Sequence, residues 1–251
     1  MLHYEISGHG TENLVLLHGF MENLTIWEDL QTRLSDKFTL IKIDLPGHGE
    51  NKNYQDVQTP DFMAEKVKEV VDFLRHSNIH LLGHSLGGYV SLAFAEKFPE
   101  KLKTLTLFFS TTLADTDEKK EIRRRSIKII DENFETFVNL SIPNLFNENE
   151  IDVLENKINL AKKIALSTNI DGVKSAQLGM IERPNRTTVL ENFAGKILII
   201  SGNHDNAVNT ENLLKVIPNQ TNIKTYVLDC GHCGHWEKPT ICAEIINTEL
   251  L

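Results

Sequence analysis

Short, nearly uninterrupted apolar runs alternate along the chain with longer stretches in which apolar residues recur every three or four positions. The runs at 13–17, 39–43, 80–82, 102–109, 197–201 and 224–228 are too short for most helices. Their continuous hydrophobicity predicts strands buried on both faces. The opening MLHYEISG predicts an additional antiparallel edge hairpin. Thr59 before Pro60 has the form of an N-cap followed by proline at the first helical position, ahead of Phe62, Val67, Val70, Val71 and Leu74. A second helix is expected over 86–98, where Pro99 ends it. Strands alternating with helices predict an α/β fold, a mostly parallel central sheet flanked by helices on both faces.

The alternation stops between about 111 and 186, where charged, helix-like segments such as DTDEKKEIRRRSIKIIDENFETFVNL and ENKINLAKKIALST take over. This predicts a helical cap, 111–186, inserted into a core made of 1–110 and 187–251. Asp115 with Glu118 is expected to form a capping box at its start. Ile127, Ile130, Phe134, Phe137 and Val138 supply an apolar stripe to pack it down.

The chemistry is concentrated where the run at 80–82 enters Gly83-His84-Ser85-Leu86-Gly87 and leaves as a helix. Glycines two positions either side of a serine, between a strand and a helix, form a nucleophile elbow. The turn is so tight that side chains at the flanks would strike neighbouring backbone. Ser85 is thus predicted at the carboxyl end of the sheet, where ligands of such sheets bind. Its competing role would be to cap the helix with its hydroxyl.

A serine hydroxyl needs a base to take its proton, and that base needs an acceptor to hold its tautomer. Two later strand ends offer them. Ser201-Gly202-Asn203-His204-Asp205 follows one run, and Asp229-Cys230-Gly231-His232-Cys233-Gly234-His235-Trp236-Glu237-Lys238-Pro239 follows the next. Asp205 is preferred over Asp229 as the acid, and His232 competes with His235 as the base.

Taken in chain order, these motifs resemble the α/β-hydrolase superfamily in its capped, small-molecule esterase-like branch. Leu16-Leu17-His18-Gly19-Phe20 resembles the family's oxyanion loop, and Asp44-Leu45-Pro46-Gly47-His48-Gly49 its loop after the next strand. The resemblance implies a triad of Ser85, Asp205 and His232. His232 is selected over His235 because it directly follows a glycine and lies five residues ahead of Glu237. It further implies oxyanion donors in the backbone N–H groups of Phe20 and Leu86. His18, His48 and His84 are expected to shape loops or line the pocket, with His18, His84 and Tyr89 as substrate-binding candidates.

The match has departures. Glu50-Asn51 stand where the family's loop often ends in a small hydroxyl residue. Dehalogenases and epoxide hydrolases of this fold place an aspartate at the position of Ser85. A menaquinone-pathway lyase carries an arginine where Tyr89 stands, and carbon–carbon bond hydrolases usually have another glycine in the oxyanion loop. The implied reaction is acyl transfer on an ester-like bond of a small molecule. The alternatives are a C–C bond hydrolase or lyase using the same triad, and a ligand sensor or partner-binding protein that keeps the fold.

The remaining features narrow this further. Cys230, His232, Cys233 and His235 crowd ligand types together, but no second C-x-x-C exists to close a zinc site, so no metal or cofactor is expected. With 35 acidic against 26 basic residues the formal charge is -9, which argues against nucleic acid or an anionic membrane surface as partner. No apolar run nears the roughly 18 to 20 residues of a membrane span, and the N-terminus does not resemble a signal peptide. A cytoplasmic location with reduced thiols is expected. Arg123, Arg124, Arg125, Arg183 and Arg186 are candidates to meet an acidic substrate, with a solvated face expected for most of such charged runs.

Overall fold

A computed structural model describes the whole chain, Met1–Leu251. Its seven strands are β1 (Tyr4–Ser7), β2 (Glu12–Leu17), β3 (Phe38–Ile43), β4 (Ile79–His84), β5 (Leu102–Phe108), β6 (Lys196–Gly202) and β7 (Ile223–Leu228). They form one sheet in the order β1-β3-β2-β4-β5-β6-β7, parallel throughout except for β1, which runs antiparallel to β3. The N-terminal strand is therefore an antiparallel edge, as expected, but it makes no hairpin. Tyr4 pairs with Ile43 and Ser7 with Leu40, so β1 crosses past its sequence neighbour β2 to reach β3.

Alternation along each strand divides the interior into two cores. Leu14, Leu16, Leu82, Phe108, Leu198 and Ile200 face one way and pack with Trp27 and with Leu30 and Leu34 of α1 (Glu28–Leu34). Val15, Leu17, Leu81, Leu105, Leu107, Ile197 and Ile199 face the other way, against α2 (Pro60–Phe73) and α3 (Leu86–Lys97). This explains why these strands read as unbroken apolar runs. β7 departs from that reading: as the far edge strand it leaves Lys224 and Thr225 exposed on its two faces and Val227 45% exposed. At the start of α2 the anticipated cap is formed, Phe62 N–H donating to Thr59 Oγ1 at 3.2 Å.

No strand lies between β5 and β6. The chain there forms α4 (Asp117–Ser141), α5 (Ile151–Ser167) and α6 (Ile170–Glu182). The ends of this excursion meet: Arg186 N–H donates to the Thr112 carbonyl at 2.8 Å, and the Thr112 and Thr187 hydroxyls are 2.9 Å apart. Ile130, Phe134 and Val138 of the expected stripe are buried in the same apolar cluster as one face of the sheet. α4 breaks at Asn133 (φ −159°, ψ 88°), whose side chain accepts from Thr136 N–H at 2.9 Å and so caps the second half.

Two expectations for this region fail. The residue that caps α4 is Thr116, accepting from Lys119 N–H, and no Asp115–Glu118 capping box forms. Asp115 is instead buried between Arg123 (2.5 Å) and Arg183 (2.8 Å). Arg183 and Arg186 are likewise buried, Arg186 pairing with Asp61 and Glu96. Only Arg124 and Arg125 lie on the solvated face. Local sequence does not reveal the burial of Arg183 and Arg186, because their carboxylate partners Asp115, Glu96 and Asp61 are distant in the chain.

Candidate active site

β4 ends at His84 and α3 begins at Leu86, so Ser85 makes the whole reversal, at φ 50° and ψ −111°. A side-chain-bearing residue held there stores on the order of 1–3 kcal/mol of strain, which the surroundings must impose. They do so by close approach: a Cβ on Gly83 would come 2.1 Å from the Gly87 carbonyl, and one on Gly87 would come 2.3 Å from the Leu17 carbonyl. The Ser85 hydroxyl does not bond to the N–H groups of the helix it opens, which sets aside the helix-capping role. Ser85 lines a cavity of about 600 Å³ instead.

Two loops at the carboxyl ends of β6 and β7 meet beside it. His232 Nδ1 lies 2.7 Å from Asp205 Oδ2. The other carboxylate oxygen accepts from Ala207 and Val208 N–H, both at 2.8 Å, which fixes the plane of the group. A carboxylate only accepts, so Nδ1 carries a proton and, in the neutral ring, Nε2 is the nitrogen with the lone pair. Asp229 is exposed and pairs with His204 and Asn203. Ser85 and His232 line the same cavity; no hydrogen bond joins their side chains in this structure.

Glu237 holds the histidine loop. Its Oε2 accepts from Gly231 N–H at 2.8 Å and Asn147 N–H at 3.1 Å, and its Oε1 from Cys233 N–H at 3.1 Å. His232 N–H donates to the Leu145 carbonyl at 2.7 Å. The segment following α4 is thereby tied to the loop that carries His232.

His84 and Tyr89 line the cavity together with Phe20. His18 does not. It is fully buried: Leu45 N–H donates to its Nε2 at 2.9 Å, so Nδ1 carries the proton and donates to the Gly19 carbonyl at 2.7 Å. Burial pushes its pKa down, in keeping with a neutral ring that ties two loops together. His48 is buried too, its pKa pushed by burial to about 4. Neither Phe20 nor Leu86 N–H has an acceptor among the turns and loops. His235, the rival base, is fully buried against Trp27 and Trp236, and burial drives its pKa well below the usual value.

Glu50-Asn51, the departure after β3, has a structural role: Glu50 N–H donates to Asp44 Oδ2 at 3.0 Å, and Asn51 accepts from His3 N–H at 2.8 Å. Cys230, Cys233 and Cys242 are free and buried, and burial raises all three thiol pKa values, Cys242 to about 12. No three ligand-type side chains converge to hold a metal. Glu22, which no sequence motif singles out, lines the cavity and accepts from Gly19 N–H at 2.5 Å. The signal in the sequence is a carboxylate two residues beyond the Leu16–Phe20 motif.

The profile of the alpha/beta hydrolase fold family matches residues 12–148. A thermophilic esterase from Thermogutta terrifontis superposes with a TM-score of 0.93 at 30% identity, over 99% of this chain and 92% of that one. The chain therefore belongs to the α/β hydrolase fold family and is an α/β-fold hydrolase. The enol-lactonase of Burkholderia xenovorans LB400 shares the fold with a TM-score of 0.91 at 19% identity, over 99% of this chain and 96% of that one. A 2-hydroxy-6-oxononadienedioate/2-hydroxy-6-oxononatrienedioate hydrolase of Escherichia coli (strain K12 / DH10B) is 25% identical, over 94% of this chain and 86% of its own length. No helix is long and apolar enough to cross a membrane.

Proposed function

We propose that the protein is a serine hydrolase that cleaves an ester-like bond of a small molecule through an acyl-enzyme. Ser85 is the nucleophile, His232 the general base and acid, and Asp205 the group that holds the imidazole. The observation that carries this reading is the pairing of an uncapped, strained serine with a histidine whose tautomer is set by Asp205, both opening on one cavity. His232 Nε2 takes the Ser85 proton as the oxygen attacks the carbonyl, and the imidazolium then protonates the leaving alcohol. Water repeats the sequence on the acyl-enzyme. The Phe20 and Leu86 N–H groups, which lack acceptors in the surrounding turns and loops, are the donors for the oxyanion. Residues 111–186 serve as a cap over the site, supported by the closed ends of that segment and by the presence of Ile122, Phe137 and Met180 in the cavity wall.

The test is labelling by a serine-directed fluorophosphonate combined with turnover of short p-nitrophenyl esters. Ser85→Ala is expected to abolish labelling and to lower kcat by about 10⁶. Ester turnover unchanged in that variant would overturn the assignment. A second reading, hydrolysis of a carbon–carbon bond, is favoured by the likeness to the Escherichia coli enzyme. Comparing rates on simple esters and on vinylogous diketones separates the two.

A further inference from the structure

Directly behind Ser85 lies a buried acid–base pair that the proposed triad does not use. Glu22 Oε2 is 2.8 Å from His84 Nδ1, and His84 Nε2 is 3.0 Å from the carbonyl oxygen of His232. His84 is 1% exposed. Both of its ring nitrogens therefore meet acceptors. A backbone carbonyl has no proton to give, and Glu22 Oε2 is already accepting from Gly19 N–H. A neutral imidazole has one donor and one lone pair, so it would turn that lone pair on an acceptor. With Glu22 ionised, only the imidazolium satisfies both contacts; a protonated Glu22 donating to a neutral ring is the other arrangement with every group paired.

We propose that Glu22 and His84 form a buried carboxylate–imidazolium clamp that positions the catalytic machinery, His84 donating one ring N–H to Glu22 and the other to the His232 carbonyl. This rests on the serine-hydrolase reading for its purpose. The clamp joins three separate segments: the oxyanion loop through Gly19 and Glu22, the nucleophile elbow through His84, and the histidine loop through His232. Gly19 precedes the proposed donor Phe20, His84 precedes Ser85, and the third contact is to His232 itself. One charged pair thus sets nucleophile, base and oxyanion donor relative to one another.

The packing agrees. A Cβ on Gly19 would stand 2.7 Å from Glu22 Oε2 and 2.8 Å from His84 Nδ1, so the glycine makes room for the pair. The rings of Trp27, Phe108 and Phe109 lie T-shaped to the His84 ring at centroid distances of 6.5, 5.9 and 6.4 Å and help wall it from solvent. Burial by itself would push the His84 pKa down; the charge and hydrogen bond of Glu22, the His232 carbonyl and the charge of Asp205 together carry it above its ordinary value. Burial would likewise raise Glu22, but His84 holds it at about 2. The other titratable groups around the pair are His18 on the oxyanion loop, His232 on the histidine loop and His235 on the short helix Gly234–Glu237.

The state of the ring is read by nitrogen NMR of histidine-labelled wild-type protein, with His84 assigned by the signals lost in His84→Asn. At about pH 8, where an unperturbed histidine is neutral, both His84 nitrogens are expected to carry protons. A singly protonated His84 at that pH overturns the clamp. Glu22→Gln keeps the acceptor oxygen and the size of the side chain but removes the charge. It is expected to release one His84 proton and to lower kcat by about tenfold or more, with KM within about twofold, because oxyanion placement acts on the transition state. Wild-type kcat in a folded Glu22→Gln protein would also overturn the clamp, and the wild-type spectrum decides if that variant does not fold. Failure of the serine-hydrolase reading looks different: wild-type protein would show no serine labelling, whatever the His84 ring state.

Discussion

Asp205 shows how much of the proposed chemistry depends on single atoms. Its Oδ1 is held by two backbone N–H groups and its Oδ2 by His232. An amide at this position would present either an oxygen or an NH₂ to Nδ1, and the backbone donors at Oδ1 would force the NH₂ toward the ring. Asp205→Asn is therefore expected to stabilise the wrong tautomer and to lower ester turnover by about 10⁴, with the fold intact by circular dichroism. Turnover within tenfold of wild type would remove Asp205 from the triad. His18 carries the converse lesson. A histidine inside a recognisable motif need not face substrate, and its two buried hydrogen bonds account for it without any ligand.

At the scale of elements, α4 and α6 are joined by charge as well as by apolar contact. Asp115 is fully buried and bridges Arg123 at the start of α4 and Arg183 at the end of α6, and Arg123 also donates to Gln177 Oε1 at 3.0 Å. Removing the carboxylate would leave a buried guanidinium without its counter-charge. Asp115→Ala is accordingly expected to cost about 3–5 kcal/mol in urea unfolding. A loss below about 1 kcal/mol would show that water or a rearranged Gln177 replaces the carboxylate. Because Arg123 and Gln177 line the cavity, the same change is expected to raise KM for bulky esters more than for acetyl esters, measurable across an acyl-length series.

Across the whole molecule, the buried histidines determine the response to acid. Burial is the leading cause that lowers the pKa of His18, His48, His80 and His235. Each depressed base binds its proton more readily in the unfolded chain, so stability falls as pH drops below the unfolded value of 6.5. For His48 the loss continues to a folded value of about 4, and that shift alone is worth roughly 3 kcal/mol. Glu22 adds a loss of the same sign at lower pH, between its ordinary 4.5 and about 2. His84 has the opposite sign: its raised pKa contributes stability below 6.5 that is lost as pH rises through its folded value. The urea midpoint is expected to be distinctly lower at pH 5 than at pH 7.5; equal midpoints would mean that the buried histidines titrate as they do in the unfolded chain.

Much of this molecule was legible in the order of its residues. The parallel strands of the core announced themselves because each is buried on both faces and must be apolar at nearly every position. The elbow was legible because the turn tolerates only glycine at its flanks, a local constraint written locally. Contacts between distant segments were not legible. Pairing of β1 with β3, burial of Asp115 between two arginines, withdrawal of His18 from the cavity and the meeting of Glu22 with His84 all join residues whose sequence neighbourhoods contain no trace of the partner. A strand or a tight turn is specified by its own side chains. A buried charge is specified by whatever the folded chain brings against it, and only the tertiary structure decides that.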